Sequence, residues 1–361
     1  MTRGTVLEIR PAALAANARR ARELAPGASV YAMVKANAYG HGLTLAASTF
    51  SPLVDGFGVA LMEEAQALRD AGVTQPLLLL EGFFDRDELL AAAAQSVQLV
   101  LHSDWQLALL ETTRLPAGVR VWLKVDCGMH RLGFPVVQCG NALKRLAALP
   151  QVQVAGVMSH FACADLQQDV MSARQLEQVQ QLAAGHGLPF SAANSAGLCR
   201  YPDSHGALVR PGIMLYGGSP LAGHTAVSLG LSVTQRLSAR LIAVNDVPAG
   251  ESVGYGAAWT ATRPSRIGVV ALGYGDGYPR HAPGTTPVAV NGVRTVLAGR
   301  VSMDMLAVDV TDIPQARPGD EVELWGDTVS VDEVAAACGT ISYALFCQVT
   351  PRVRRVIAGS A

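Results

Sequence analysis

The sequence predicts an α/β protein: a (β/α)8 TIM-type barrel over residues 1–230, followed by a mostly antiparallel β domain over residues 231–361. Three observations predict it. Short apolar runs alternate with Ala- and Leu-rich helical stretches through the first part of the chain. Those runs are apolar almost throughout rather than at every second residue, as strands buried on both faces are. Beyond about Leu231 the pattern changes to strand-like runs punctuated by Pro-Ala-Gly, Asn291-Gly292 and Pro318-Gly319-Asp320 turn signals.

Taken in order, Pro11 opens a helix that runs to Pro26, with its missing N–H at a position where a helix has no use for one. The segment before it is a candidate extra strand for the second domain. Eight strands are placed at residues 30–34, 56–60, 77–80, 97–101, 119–125, 154–158, 190–193 and 207–209, each followed by a helical stretch. A closed barrel of about 230 residues meets this alternation. An open doubly wound sheet would announce a nucleotide site by G-x-G-x-x-G after its first strand, and no such segment stands there. In the second domain, strands are placed at 233–244, 267–272, 288–290, 305–310 and 321–325. A short helix at 331–338 opens at Asp332 or just before.

Half of the 361 residues are hydrophobic, enough for one large core and a smaller one. With 28 basic against 29 acidic residues there is no broad field of one sign, which argues against nucleic acid or an anionic membrane as partner and for a small-molecule substrate. The start shows no long apolar segment or cleavage pattern, and no later run approaches a membrane span, so a cytoplasmic chain is expected. Cys127, Cys139, Cys163, Cys199, Cys338 and Cys347 lack paired spacing and are expected to be reduced core cysteines, with no metal site implied.

A barrel puts its chemistry at the carboxyl ends of its strands. The residues found there are Lys35 with Tyr39, Glu81, His102, Asp126 with Arg131, His160, Asn194 with Ser195, and Arg210 with Gly212. A lysine at a strand end can serve as a nucleophile toward a carbonyl; taken alone, the stretch favours a surface lysine closing a strand. His160 likewise reads alone as a core histidine, and Arg210 as the partner of a carboxylate. Together the set suits an anionic, phosphorylated cofactor, because a serine hydroxyl and the backbone N–H groups of Gly212 and Ile213 can hold a phosphate. In the second domain, Gly254-Tyr255-Gly256 and the run from Gly273 to Arg280, containing Tyr274, set tyrosines between glycines. Such a ring is either exposed to reach another surface or caps a hairpin.

The run Val34-Lys35-Ala36-Asn37-Ala38-Tyr39-Gly40-His41-Gly42 resembles the cofactor-lysine signature of the alanine racemases. The stretches from Leu123 to Gly133, Ser159 to Ala162 and Val209 to Ile213 resemble the same family in order, as do Gly254-Tyr255-Gly256, Gly273 to Gly277 and Ser302-Met303-Asp304. The resemblance covers essentially the whole chain.

It implies a bacterial isomerase that interconverts L- and D-alanine on pyridoxal 5'-phosphate, for cell-wall precursor supply or for alanine catabolism. Lys35 would hold the cofactor as a Schiff base. Tyr39, Ser195, Gly212, Ile213 and Tyr343 would bind its phosphate. Arg210 would face the pyridine nitrogen with His160 behind it. Arg131 would reach the phenolic oxygen and the substrate carboxylate, with Met303 and Tyr274 also on the substrate side. Lys124 matches a lysine that is carbamylated in some relatives. Lys35 and Tyr255 would be the two bases, Lys35 on the D face and Tyr255 on the L face. Tyr255 would come from the partner of a head-to-tail homodimer. Cys127 stands where threonine is common. Competing readings are a broad-specificity amino-acid racemase, a decarboxylase of related fold, and a barrel-only, non-catalytic pyridoxal-phosphate carrier; the last would lack the β domain and Tyr255.

Overall fold

The computed structural model describes residues 3–359 and divides into two compact units. Unit 2 holds residues 14–215 and 219–231; unit 1 holds the N-terminal residues through Ala13, residues 216–218, and everything from Ser232 onward.

Unit 2 is a nearly closed parallel barrel. Its strands are Ser29–Met33, Gly56–Val59, Leu77–Leu79, Val97–Leu101, Val119–Asp126, Val152–Met158, Phe190–Ser191 and Leu208–Val209. Each as far as Phe190–Ser191 pairs in parallel with the one before it, and Leu208–Val209 pairs with Ser29–Met33. Between the last two strands the ring is joined by single bonds: Ala207 N–H donates to the Phe190 carbonyl at 3.0 Å, and the Ser191 hydroxyl to the Leu208 carbonyl at 2.6 Å. Phe190–Ser191 is shorter than the apolar run 190–193, and the Ala193 carbonyl beyond it accepts from Arg210 N–H at 2.9 Å.

The barrel interior is filled rather than hollow. Gln98 donates to the Tyr31 hydroxyl at 2.9 Å and accepts from the Trp122 indole at 3.1 Å. Tyr31 and Gln98 lie on strands that are not neighbours in the sheet, so this chain of buried polar groups crosses the centre.

Unit 1 is an eight-stranded, mostly antiparallel sheet organised by one long strand, Gln235–Val247. A bulge between Leu241 and Ala243 bends it. Its first half pairs with Glu321–Trp325 and Val6–Ile9, its second with Ser265–Val270. The N-terminal strand Val6–Ile9 is therefore a member of this sheet, flanked on its other edge by a parallel strand, Arg354–Ile357. That last strand and Val293–Val296 escape the sequence reading because three of the four residues in each are exposed, leaving no apolar run. The short helix spans Val331–Ala337, opening just before Asp332 as expected: Ser330 accepts from Glu333 N–H and Glu333 reaches back to Ser330 N–H, a reciprocal cap.

All six cysteines are free, but only Cys127, Cys139 and Cys338 are core residues; Cys163 and Cys199 are half-buried and Cys347, on the outer face of the helix Ser342–Gln348, is exposed. No helix among the described residues is long and apolar enough to cross a membrane.

Candidate active site

Lys35 follows the first barrel strand and begins a helical turn of unusual hand. Ala36, Asn37, Ala38 and Tyr39 all have φ between 52° and 54°, four consecutive non-glycine residues in the left-handed region. Each such residue costs about 1–2 kcal/mol, and they normally occur singly. The turn persists because its surroundings hold it. Ala38 N–H donates to the Val34 carbonyl at 2.8 Å, Leu43 N–H to the Asn37 side chain at 2.8 Å, and Ala36 N–H to the Glu64 carboxylate at 2.7 Å. The other oxygen of Glu64 accepts from Ala60 N–H at 2.9 Å, so this carboxylate links the turn to the end of the next strand. Backbone strain of this kind gathers at functional sites.

The turn carries Tyr39 inward. Its hydroxyl lies 2.4 Å from where a β-carbon would stand on Gly212, which is why that position has no side chain. Ser195, buried at the start of the helix Ser195–Arg200, accepts from the Gly212 and Met214 N–H groups at 2.8 and 3.5 Å. Asn194 caps the same helix by accepting from Gly197 N–H. The structure thus brings Tyr39, Ser195, Gly212 and Ile213 together. The donor set, a phenol, a serine hydroxyl and backbone amides at the start of the turn Ile213–Tyr216, suits a phosphate.

Beside it lies a cluster of basic groups. Arg210 is buried and donates to the Ser191 hydroxyl and to the carbonyls of Ser159 at 2.7 Å and Ala192 at 3.3 Å. Burial pushes its guanidinium down to about 10, so it stays protonated at neutral pH. Burial, and then the charges of Lys124, Arg210, Arg131 and Lys35, hold the His160 ring well below the ordinary histidine value. Lys124 is likewise held well below an ordinary lysine by burial, then by Arg210 and Arg131. Five basic side chains therefore act on one region, an arrangement that fits a phosphorylated cofactor and a substrate carboxylate.

Arg131 rides on an exposed loop closed by the pairing of Phe134–Pro135 with Val119–Asp126. The Asp126 carboxylate sets that loop, accepting from Gly128 N–H at 2.9 Å and His130 N–H at 3.0 Å. Burial pushes Asp126 up, but the bonds from His130 and Gly128 bring it below the ordinary value. The acceptors of the Arg210 guanidinium belong to Ser159, Ser191 and Ala192. The His160 carbonyl accepts from the Gln175 side chain.

The remaining sequence-derived residues, Tyr255, Tyr274, Met303 and Tyr343, belong to unit 1. Tyr255 is 71% exposed, at the tip of the hairpin of Ser252–Val253 and Trp259–Thr260, between Gly254 (φ 74°) and Gly256 (φ 70°). Tyr274 lies in a short turn with the Arg280 guanidinium 6.0 Å above its ring, and Met303 is exposed on a neighbouring loop. Tyr343 is the second residue of the helix Ser342–Gln348.

Glu64 and Gln175 do not stand out in the sequence. Glu64 sits in the acidic first turn of the helix Met62–Asp70, an ordinary place for a carboxylate, and only the fold brings it to Ala36. Among the described residues no group of three His, Cys, Asp or Glu side chains is placed to hold a metal ion.

Two family models match the chain: "Alanine racemase, N-terminal domain" over residues 9–220 and "Alanine racemase, C-terminal domain" over residues 234–357. An alanine racemase of Alcanivorax borkumensis is 59% identical over 98% of this chain and 99% of its own length. One from Halorhodospira halophila is 46% identical over 98% of each. Among solved structures, the biosynthetic alanine racemase of Pseudomonas aeruginosa superposes with a TM-score of 0.96 at 46% identity, covering 99% of this chain and 100% of that one. The alanine racemase of Bartonella henselae, described with covalently bound pyridoxal phosphate, gives 0.88 at 28% identity over 98% of this chain and 99% of that one.

Proposed function

We propose a division of labour among the residues of this chain, which belongs to the alanine racemase family and catalyses the interconversion of L- and D-alanine, an isomerase reaction. The observation that carries the assignment is the convergence of Lys35, Tyr39, Ser195 and Gly212 with the basic cluster of Arg131, Arg210, His160 and Lys124 in the barrel unit.

Pyridoxal 5'-phosphate, when bound, supplies the conjugated electron sink that makes the Cα proton of an amino acid removable. Lys35 anchors it. Tyr39, Ser195 and the amides of Gly212 and Ile213 hold the phosphate, joined by Tyr343. Arg210 would present only a donor to the cofactor ring, because a guanidinium does not surrender its proton, and would so disfavour side reactions that need a protonated ring. Arg131 holds the substrate carboxylate, with Met303 and Tyr274 on the substrate side. Racemisation removes the Cα proton from one face and returns it on the other, and a base on each face is the economical arrangement. Lys35 takes and returns the proton on the D face, Tyr255 on the L face.

The exposure of Tyr255 on a glycine-flanked tip supports a base that serves a neighbouring subunit. On this reading the enzyme is a head-to-tail homodimer in which the partner's Tyr255 completes each site. Six free cysteines support a reducing compartment, the cytoplasm. The Lys124 amine, held well below the ordinary lysine value by burial, is a candidate for carbamylation.

The test is D-alanine formation from L-alanine, measured beside L-serine, L-lysine and L-arginine. Turnover of alanine at least about tenfold above the others in kcat/KM supports the assignment. Equal turnover of the basic amino acids would favour a broad-specificity racemase, and no turnover would refute it.

A further inference from the structure

The run Gly273-Tyr274-Gly275-Asp276-Gly277 is built against its neighbours more tightly than an exposed tyrosine turn requires. A β-carbon on Gly273 would stand 2.3 Å from the Ser302 carbonyl oxygen, on Gly275 2.3 Å from Nη1 of Arg352, and on Gly277 2.2 Å from the Gln348 carbonyl oxygen. Tyr274 N–H donates to the Ser302 carbonyl at 3.0 Å and Gly275 N–H to the Met303 carbonyl at 2.8 Å, so the turn lies flat on the loop that carries Met303.

Beneath the turn is Asp276, whose side chain is wholly out of solvent. Its carboxylate accepts from Arg3 through Nη1 at 2.6 Å and Nη2 at 2.7 Å, a two-pronged pair, and from Gly273 N–H at 2.9 Å. Arg352 Nε approaches to 3.6 Å. Both arginines then continue to the second loop: Arg3 donates to the Asp304 carbonyl at 2.8 Å and Arg352 to the Asp304 carboxylate at 2.6 Å. Two carboxylates and two guanidiniums thus bind together the Tyr274 turn, the Met303 loop, the N-terminal segment and the approach to the last strand. A buried carboxylate is expensive to desolvate, and apolar packing would hold two turns together at lower cost. What the ionic arrangement adds is direction, because a two-pronged arginine–carboxylate pair fixes orientation as well as distance.

We propose that Asp276, with Arg3 and Arg352, is a positioning cluster that sets Tyr274 relative to Met303 and thereby determines how tightly alanine is held rather than how fast its proton moves. The proposal rests on the assignment of Tyr274 and Met303 to the substrate side, and none of the three charged residues touches substrate.

The experiment compares wild type with Asp276→Asn, Arg3→Lys and Arg352→Lys in steady-state racemisation. Cofactor absorbance and amide hydrogen exchange across residues 273–277 and 302–304 are measured on the same proteins. Asp276→Asn is expected to raise KM about tenfold or more, with kcat within about threefold, full cofactor content and faster exchange confined to the two loops. The lysine variants keep the charge but lose the fork, and are expected to fall between. The double variant Arg3→Lys/Asp276→Asn is expected to be no worse than Asp276→Asn, because the pair acts as a unit. An unchanged KM, a loss expressed wholly in kcat, or exchange that rises throughout the chain would overturn the proposal. If Asp276→Asn fails to fold, the two lysine variants decide by the same KM-against-kcat split. Absence of alanine turnover in the wild type would instead refute the functional assignment, and a wild-type KM after Tyr274→Ala and Met303→Ala would refute their place beside the substrate.

Discussion

The hydroxyl of Tyr39 occupies the space that a side chain on Gly212 would need: it stands 2.4 Å, and the ring carbon behind it 3.1 Å, from the missing β-carbon. Gly212 is thus excluded from carrying a methyl by contact, not by backbone conformation. Gly212→Ala is expected to push Tyr39 aside and to weaken retention of pyridoxal phosphate about tenfold or more, with a smaller effect on the thermal midpoint. Equilibrium dialysis against the free cofactor measures it. Tyr39→Phe in the same chain removes the oxygen that the methyl strikes, so the double variant is expected to melt above Gly212→Ala alone.

Tyr255→Phe separates the two bases. The equilibrium constant between enantiomers is one, so net turnover must fall in both directions. In deuterium oxide, however, the variant is expected to keep exchanging the α-proton of D-alanine while exchange from L-alanine drops by about 10²–10⁴-fold. Proton NMR of the two isomers reads this directly, and equal loss from both would remove Tyr255 from its role.

The left-handed turn after Lys35 makes two expectations of opposite sign. Ala36 is exposed with φ 53°, so Ala36→Gly relieves strain and is expected to raise stability by about 0.5–1 kcal/mol. Glu64→Gln leaves an amide group where two backbone N–H groups need acceptors, at Ala36 and Ala60. It is expected to lower stability by about 1–3 kcal/mol. Urea unfolding of the cofactor-free proteins checks both.

The basic cluster sets a pH dependence. Unfolded, His160 takes a proton near its ordinary value of 6.5; folded, it does so only at lower pH. Between those values the unfolded chain binds more protons, so this contribution to stability is present above pH 6.5 and is lost as pH falls through the folded value. Lys124 acts in the same sense from about 10.5 downward. One such group changes stability by at most about 1.4 kcal/mol per pH unit. The urea midpoint of the cofactor-free protein is expected to fall between pH 7 and pH 5, and to fall less in His160→Gln. An identical slope in the variant would assign the acid limb to other groups.

The barrel was legible because its strands are apolar runs that end where polar residues begin. Val97–Leu101 and Glu321–Trp325 coincide with the expected ranges, and the others shift by up to three residues at their ends. What escaped depends on distant contacts. Nothing in Ala36-Asn37-Ala38-Tyr39 contains the glycine that a left-handed turn would advertise; Val34, Leu43 and Glu64 impose it. Arg354–Ile357 carries two arginines and becomes a strand only because Val6–Ile9 offers it an edge. The candidate residues of the barrel unit could be collected as strand ends, whereas Asp276 read only as part of a glycine turn, since its partners Arg3 and Arg352 lie at opposite ends of the chain.

The place of Val6–Ile9 in the second sheet has a consequence for the order of synthesis. Ile9 pairs with Gln235 on one side and with Ile357 on the other. Val6–Ile9 must therefore wait through the making of the whole barrel for its first neighbour, and through most of the second sheet for Arg354–Ile357. During that wait its backbone is an unpaired edge. A fusion or truncation at the amino terminus thus acts on the last unit to close.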